Sequence, residues 1–378
     1  MYAVGTRRFW SELMRLFLAV FLTVSFLMRP TVAADGILRG LALCYRSVIP
    51  ALFPFFILSK IILTSPFAGA LGLPLLPYTR FVLRVRDKRA ATALLLGLTG
   101  GFGGGASCLQ SLYQSGILSR SEVQRMLWCS INAGPAFVVA CVGSGMLGSA
   151  RSGWLLYAAL CIGSFCCGAA GSFFDRDNTA KVIDKNIDQA ACANAKKDPA
   201  VRHAFEAPKK SQSFSESVRE AVFSTLTLCG FVLFFSFLLA VAMPPSASDL
   251  SRFLLCTLLE VTSACSTATA GSMLFPIFFC CAALSIMGSS IWAQVRALLD
   301  RDISLSALLA SRLLHLPISL GALRLLLYIF PLPLKAGATA VLRMQMPMDA
   351  CCAVFLLCCA FFCITTKDSG LRFSQKRV

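Results

Sequence analysis

Apolar residues in this chain fall in long unbroken runs rather than at amphipathic spacing. Ile131–Ala150, Gly153–Phe174, Ala221–Met243, Val261–Val295 and Ala350–Thr366 each reach the roughly 17 residues a helix needs to cross hydrocarbon. Three further runs carry charge: Phe9–Met28 holds Glu12 and Arg15, Ser47–Thr64 holds Lys60, and Ile303–Phe330 holds Arg312, His315 and Arg324. The pattern predicts an all-α, polytopic helical membrane protein with about seven to nine passes, some of them re-entrant or broken. Polar residues gather between Asp175 and Arg219, a stretch of mixed charge with few large apolar side chains. Such a stretch cannot build a core and reads as a cytoplasmic linker. The predicted organisation is an N-terminal membrane helix and amphipathic connector (1–46), a first membrane half (47–174), the linker (175–219), a second half (220–366) and a basic tail (367–378).

Composition sharpens this picture. Of the 378 residues, 57% are hydrophobic and 14% charged, where soluble domains carry about a quarter charged. Mean hydropathy is +0.74. A net charge of +17 raises nucleic acid as a partner, but the basic residues sit in short loops and tails beside apolar runs, not on one face. Nucleic acid is therefore excluded. Arg7 and Arg8, the cluster Arg80/Arg84/Arg86/Lys88/Arg89, the linker and the tail with Lys367, Arg372, Lys376 and Arg377 are all expected to be cytoplasmic, both termini included. These placements agree in parity only if some apolar stretches re-enter rather than cross. Arg7-Arg8 followed by an apolar run and Val32-Ala33-Ala34 also resembles a signal peptide; an uncleaved first helix is the expected form. The 18 cysteines lie mostly within apolar runs with no CxxC pair and only two histidines, so they read as small packing residues rather than a metal site.

The chemistry is concentrated at breaks in the apolar runs. "GLTGGFGGGASC" (Gly97–Cys108) has six glycines in twelve residues. No lysine follows at the spacing of a phosphate-binding loop, and its flanks are too apolar for a flexible linker. Non-helical backbone at membrane depth survives only where protein buries it or water bathes it. Two readings stand: a re-entrant tip in which Gly101, Gly103, Gly104, Gly105 and the start of a helix near Ser107 face an anionic group, or close helix packing through small residues. A second break, "CSINAGPAF", places Asn132, Gly134 and Pro135 in another apolar run, where Asn132 is either a solute contact or a helix cap.

In the second half Glu260 is an ionisable residue within an apolar run, a candidate for proton or cation coupling unless its segment lies wet at the surface. Arg312 and His315 share a helical face and are candidate anion contacts; Lys60 is expected to snorkel. "GGASCLQSLYQSGILSRSEVQRMLW" faintly matches "GSSIWAQVRALLDRDISLSALLASRLL". Each runs from a small-residue break (Gly104-Gly105; Gly288-Ser289-Ser290) through a glutamine (Gln110; Gln294) to a polar corner and a second helix. That predicts two repeats, inverted if an odd number of crossings separates them. There is no HExxH, no GxSxG and no intramembrane Asp pair, so no catalytic residue, metal or cofactor is expected.

Taken together, "IPALFPFFILSKIIL", the glycine stretch, "NAGPAFVVACVGSGML", "LCGFVLFFSFLLAV", "LLEVTSA" and "SIMGSSIWAQVRALL" resemble the YlbJ-type sporulation integral membrane proteins, within the wider group carrying the nucleoside-recognition, or Gate, domain. The likeness runs from Ile49 to His315, with NAGPAF its most specific piece. Two positions depart from it: Gly103 stands where the family's glycine motif has proline, and the second-half motif keeps one glycine in Ser285–Ser290. The resemblance implies two Gate-like repeats and a role in spore formation by moving a small solute, dipicolinate being the natural candidate, across a forespore membrane. The expected partners are the lipid bilayer and a small-molecule solute, with homo-oligomerisation left open. The alternative is a non-transporting assembly factor acting through the polar linker.

Overall fold

A computed structural model describes residues 13, 16, 17, 19–64, 68–174, 214–243, 246–270, 273 and 275–332. Among them there are helices and no strands, as expected of backbone that must satisfy its own polar groups in lipid. Helix α1 is Ala19–Met28. Pro30 at its first turn starts α2 (Pro30–Leu43), which passes through a wider π turn at Cys44–Val48 into α3 (Ile49–Thr64). The short α4 (Ala68–Leu71) leads to a hairpin of α5 (Lys88–Thr99) and α6 (Gly101–Gln114). Then come α7 (Arg120–Leu127), a π-type helix (Ala136–Met146) and α8 (Ala150–Phe174). The second half holds α9 (Phe214–Ala242), α10 (Asp249–Leu259), α11 (Val261–Ala270), α12 (Pro276–Ile286), α13 (Ser289–Leu298) and α14 (Ser306–Ile329).

Five of these helical stretches are long and apolar enough to cross a membrane: Pro30–Leu58, Ala150–Phe173, Phe214–Ala242, Pro276–Leu298 and Ser306–Ile329. Polar starts are capped where the sequence supplies a partner. Asp87 accepts the Arg89 amide at the head of α5, Ser119 and Glu122 form a reciprocal capping box on α7, and Ser248 caps α10. The small residues Gly36 and Gly40 of α2 lie against Ala240 and Ser236 of α9, the close backbone approach that holds helices together when lipid is as apolar as leucine. Helix α14 packs along α8. The interior is built from both halves, from Leu83, Leu94, Leu109 and Leu156 in the first to Cys280, Leu284 and Ile291 in the second.

Four expectations are corrected. Ile131–Ala150 is not a crossing helix: Ile131–Gly134 is non-helical, and a helix of eleven residues follows Pro135, because Gly134 and Pro135 stop it from running back through them. Val261–Val295 is three helices, interrupted at Phe275 and Met287, whose φ angles of 60° and 61° no α-helix accommodates. The helix after the glycine stretch begins at Gly101, not near Ser107. Finally, the expected boundary at 46/47 falls inside the helical stretch Pro30–Leu58 rather than between two elements. The linker lies outside the described residues up to 213, its last six residues already forming the start of α9. Ala350–Thr366 and the basic tail lie outside them too, as does the side chain of Lys60.

Candidate functional site

Each half contains two chain breaks that meet. In the first, α5 closes at Gly100, whose amide donates to the Leu96 carbonyl at 2.7 Å. The chain then reverses at Gly101 with φ +76°, a conformation costly for any residue with a Cβ. The other break is the non-helical segment Ile131–Gly134. A Cβ on Gly134 would sit 2.7 Å from the Thr99 carbonyl oxygen and 3.0 Å from the Gly101 nitrogen, so the two breaks touch. One turn behind the tip, Gly97 and Gly105 from the two arms of the hairpin enclose the Ser130 carbonyl so tightly that a Cβ on either would collide with it.

The glycines therefore divide by role. Gly97, Gly105 and Gly134 are required by packing. Gly103 and Gly104 are not: a Cβ there meets only the Leu298 Cδ1 at 3.8 Å and the Leu96 oxygen at 3.5 Å, ordinary contacts. Gly101 to Gly104 form the first turn of α6 and bring the free amides of a helix start. Ser107 is exposed in mid-helix and contributes nothing to that terminus, which corrects its expected place.

In the second half Glu260 has an extended backbone between α10 and α11, and its side chain is 2% exposed. Its carboxylate oxygens accept the Thr262 amide at 2.9 Å and the Ser263 amide at 2.6 Å, so it caps α11 and is not a wet surface residue. The break at Met287-Gly288 presses on this one: a Cβ on Gly288 would lie 3.0 Å from the Glu260 nitrogen, and the Ser289 hydroxyl donates to the Leu259 carbonyl at 3.3 Å. Gln294 donates to Ser290 at 3.3 Å within α13.

Besides the α8–α14 and α2–α9 packing, the halves also join where α6 and α13 pack together. The Gln110 carbonyl oxygen accepts the Asp300 amide at 2.9 Å, and the Tyr113 hydroxyl donates to the Asp302 carboxylate. That bond holds the Asp302 carboxyl below the usual carboxylate range. The loop after α13 is tied down by Arg296, which donates to the carbonyls of Leu299, Asp300 and Ile303.

Two of the expected contacts prove different in kind. His315 is fully buried and spent: Nε2 lies 3.1 Å from the Leu160 carbonyl and 3.2 Å from the Ser164 hydroxyl, and Nδ1 lies 3.2 Å from the Ser319 hydroxyl. A carbonyl only accepts, so Nε2 carries a proton and the ring bolts α8 to α14. Arg312 is 4% exposed; its Nε reaches Ser311 at 3.2 Å, but neither Nη1 nor Nη2 has a partner among the described residues. Asn132 is 0% exposed and likewise unpartnered at both amide atoms; it does not cap the helix that follows. Buried polar atoms are almost always hydrogen-bonded, so Asn132 and Arg312 are the two strongest marks of a ligand site in the fold.

With this geometry in view, the chain was compared with known proteins. It is 25% identical over 218 residues to Sporulation integral membrane protein YlbJ of Bacillus subtilis (strain 168), covering 57% of this chain and 53% of the relative. The chain is a multi-pass integral membrane protein. It spans about half the length of that relative, whose name speaks of sporulation and membrane integration and not of a solute. No family model matches the chain, and no solved structure does.

Sequence reasoning missed four buried hydroxyls without partners among the described residues: Ser130, Ser217, Thr257 and Ser285. Ser130 lies two residues before Asn132, while Thr257 and Ser285 each lie three residues before a break, at Glu260 and Gly288. A search one helical turn upstream of every break would have found the last two.

Proposed function

We propose that the protein is a secondary transporter or permease that moves a small anionic solute across a membrane of the sporulating cell, with both termini in the cytoplasm. The observation that carries this reading is the pair of buried, unpartnered side chains, Asn132 and Arg312, in a fold whose two halves are each interrupted by touching breaks. Broken elements at the junction of two halves are how many transporters build a solute site without a dedicated cavity wall. A buried guanidinium without a protein counter-charge suits a carboxylate or phosphate, and Asn132 supplies a neutral donor and acceptor.

Two Gate-like inverted repeats fit the same reading. Helices α6 and α13, which the sequence match pairs, lie against one another across the junction. Dipicolinate, a planar ring with two carboxylates, is the first solute to test, and the sporulation relative supports that choice. Nothing in this reading requires bond-making chemistry, a metal or a cofactor.

The test is uptake of labelled dipicolinate and of a labelled nucleoside into proteoliposomes. Uptake of the anion, lost in Asn132→Leu and Arg312→Met with unchanged reconstitution, is expected. Failure of every tested anion and nucleoside to move, with function in spores lost on deletion of the 175–213 linker, would replace this reading with that of an assembly factor.

A further inference from the structure

Apart from the junction, the largest concentration of unspent charge lies between α4 and α5. Arg80, Arg84, Arg86 and Lys88 are all exposed, and none has a partner among the described residues. Asp87, the one acidic residue within the segment, is committed elsewhere: it accepts the Arg89 amide and Nε, each at 2.9 Å, and Nη2 at 2.7 Å. Phe81 stands among these cations with 77% of its surface exposed, and Leu71 and Leu73 just before it are 45% and 50% exposed.

The segment is nonetheless firmly fixed. The Tyr78 hydroxyl donates to the Phe165 carbonyl of α8 at 2.6 Å, and its ring meets the Phe165 ring edge-on at 4.9 Å. Thr79, Leu83 and Val85 are wholly buried, and the Val85 amide donates to the Thr79 carbonyl at 2.9 Å. Alternation of buried Leu83 and Val85 with exposed Arg84 and Arg86 turns the cations outward as a set. Rigid presentation of four cations around an exposed aromatic ring is poorly explained by solubility, because a membrane protein loop needs no apolar ring in water.

We infer that Arg80–Lys88 is a docking surface for the anionic headgroups of the bilayer in which the protein sits, with Phe81, Leu71 and Leu73 entering the interfacial layer. The occupant follows from charge complementarity: negative phospholipid headgroups attract juxtamembrane basic residues, and aromatic rings settle at headgroup depth. The surface is separate from the proposed solute site, and its test does not depend on transport.

The test is amide hydrogen exchange of the full chain in nanodiscs, reading the peptides that cover residues 78–89. Exchange is expected to slow when phosphatidylglycerol replaces part of a phosphatidylcholine disc, and to recover when salt is raised from 0.1 M to 1 M, which shortens the Debye length from about 10 Å to about 3 Å. Arg84→Gln should weaken the apparent affinity for phosphatidylglycerol about five-fold, and replacing Arg80, Arg84, Arg86 and Lys88 together should abolish the effect while exchange in α8 is unchanged. Equal exchange in both lipids, or no difference between the wild type and the fourfold variant, overturns the inference. So does equal protection by inorganic phosphate in pure phosphatidylcholine, which would assign the cluster to a soluble anion.

Discussion

Replacing Arg312 with methionine should make the solute-free protein more stable and at the same time deaf to the solute. Arg312 is 4% exposed, and its two terminal nitrogens, which carry most of the guanidinium's N–H donors, have no partner among the described residues. An uncompensated buried charge costs about 3–5 kcal/mol. Methionine keeps most of the volume of the stem, with a repacking cost of about 1 kcal/mol. The balance is a gain of about 2–4 kcal/mol, an upward shift of roughly 4–16 °C for a unit of this size. Wild-type protein at a hundred times the dissociation constant of its anion should recover about 2.7 kcal/mol through binding, and the variant nothing. The assay is thermal unfolding in nanodiscs with and without dipicolinate. A variant that melts below the wild type without ligand, or that is stabilised by the anion as strongly as the wild type, refutes the argument that this cation waits for a solute.

Other outcomes follow from the same geometry. Gly105→Leu should abolish folding or cost at least about 3 kcal/mol by collision with the Ser130 carbonyl, whereas Gly103→Ala, whose Cβ makes only an ordinary contact with Leu298, should cost less than about 1 kcal/mol; purification yield and melting temperature separate them. His315→Ala should lower stability by about 2–4 kcal/mol through the loss of the α8–α14 bolt, read as a lower melting temperature. The Tyr113–Asp302 bond depresses the Asp302 carboxyl, so its stabilising contribution is present above the ordinary carboxylate value near 4 and disappears as pH falls through the depressed one. Hydrogen exchange in the 299–305 loop should therefore rise below about pH 4 in the wild type, and Tyr113→Phe should show the faster exchange already at pH 7.

Much of the fold was written in hydropathy. The runs at Gly153–Phe174, Ala221–Met243 and Ile303–Phe330 became α8, α9 and α14 because little in them resists a helix, Pro317 of α14 being carried inside its helix. The breaks were legible as places but not as shapes. Glycine and proline announced Gly101 and Pro135, yet the sequence could not tell that α6 starts at Gly101, since that depends on one residue taking a positive φ. Phe275 and Met287 are announced only by the Pro276 and Gly288 that follow them, since their own side chains give no sign of a positive φ. The site residues divide in the same way. Asn132 and Arg312 could be picked out as polar groups in apolar runs, but that His315 is spent and Arg312 is not depends on Leu160, Ser164 and Ser319, two of which lie some 150 residues away in sequence.

The Ser130 carbonyl held between Gly97 and Gly105 sets a spacing that any chain must keep to build this junction. No side chain larger than hydrogen fits at either position, and a hairpin that turns at Gly101 fixes their spacing at eight residues. A chain that keeps glycines eight apart, followed about 25 residues later by a serine-led segment ending in Asn-x-Gly-Pro, preserves this junction whatever its remaining composition. Searching by that spacing asks whether a structure can form, where searching by percentage asks only how much time has passed.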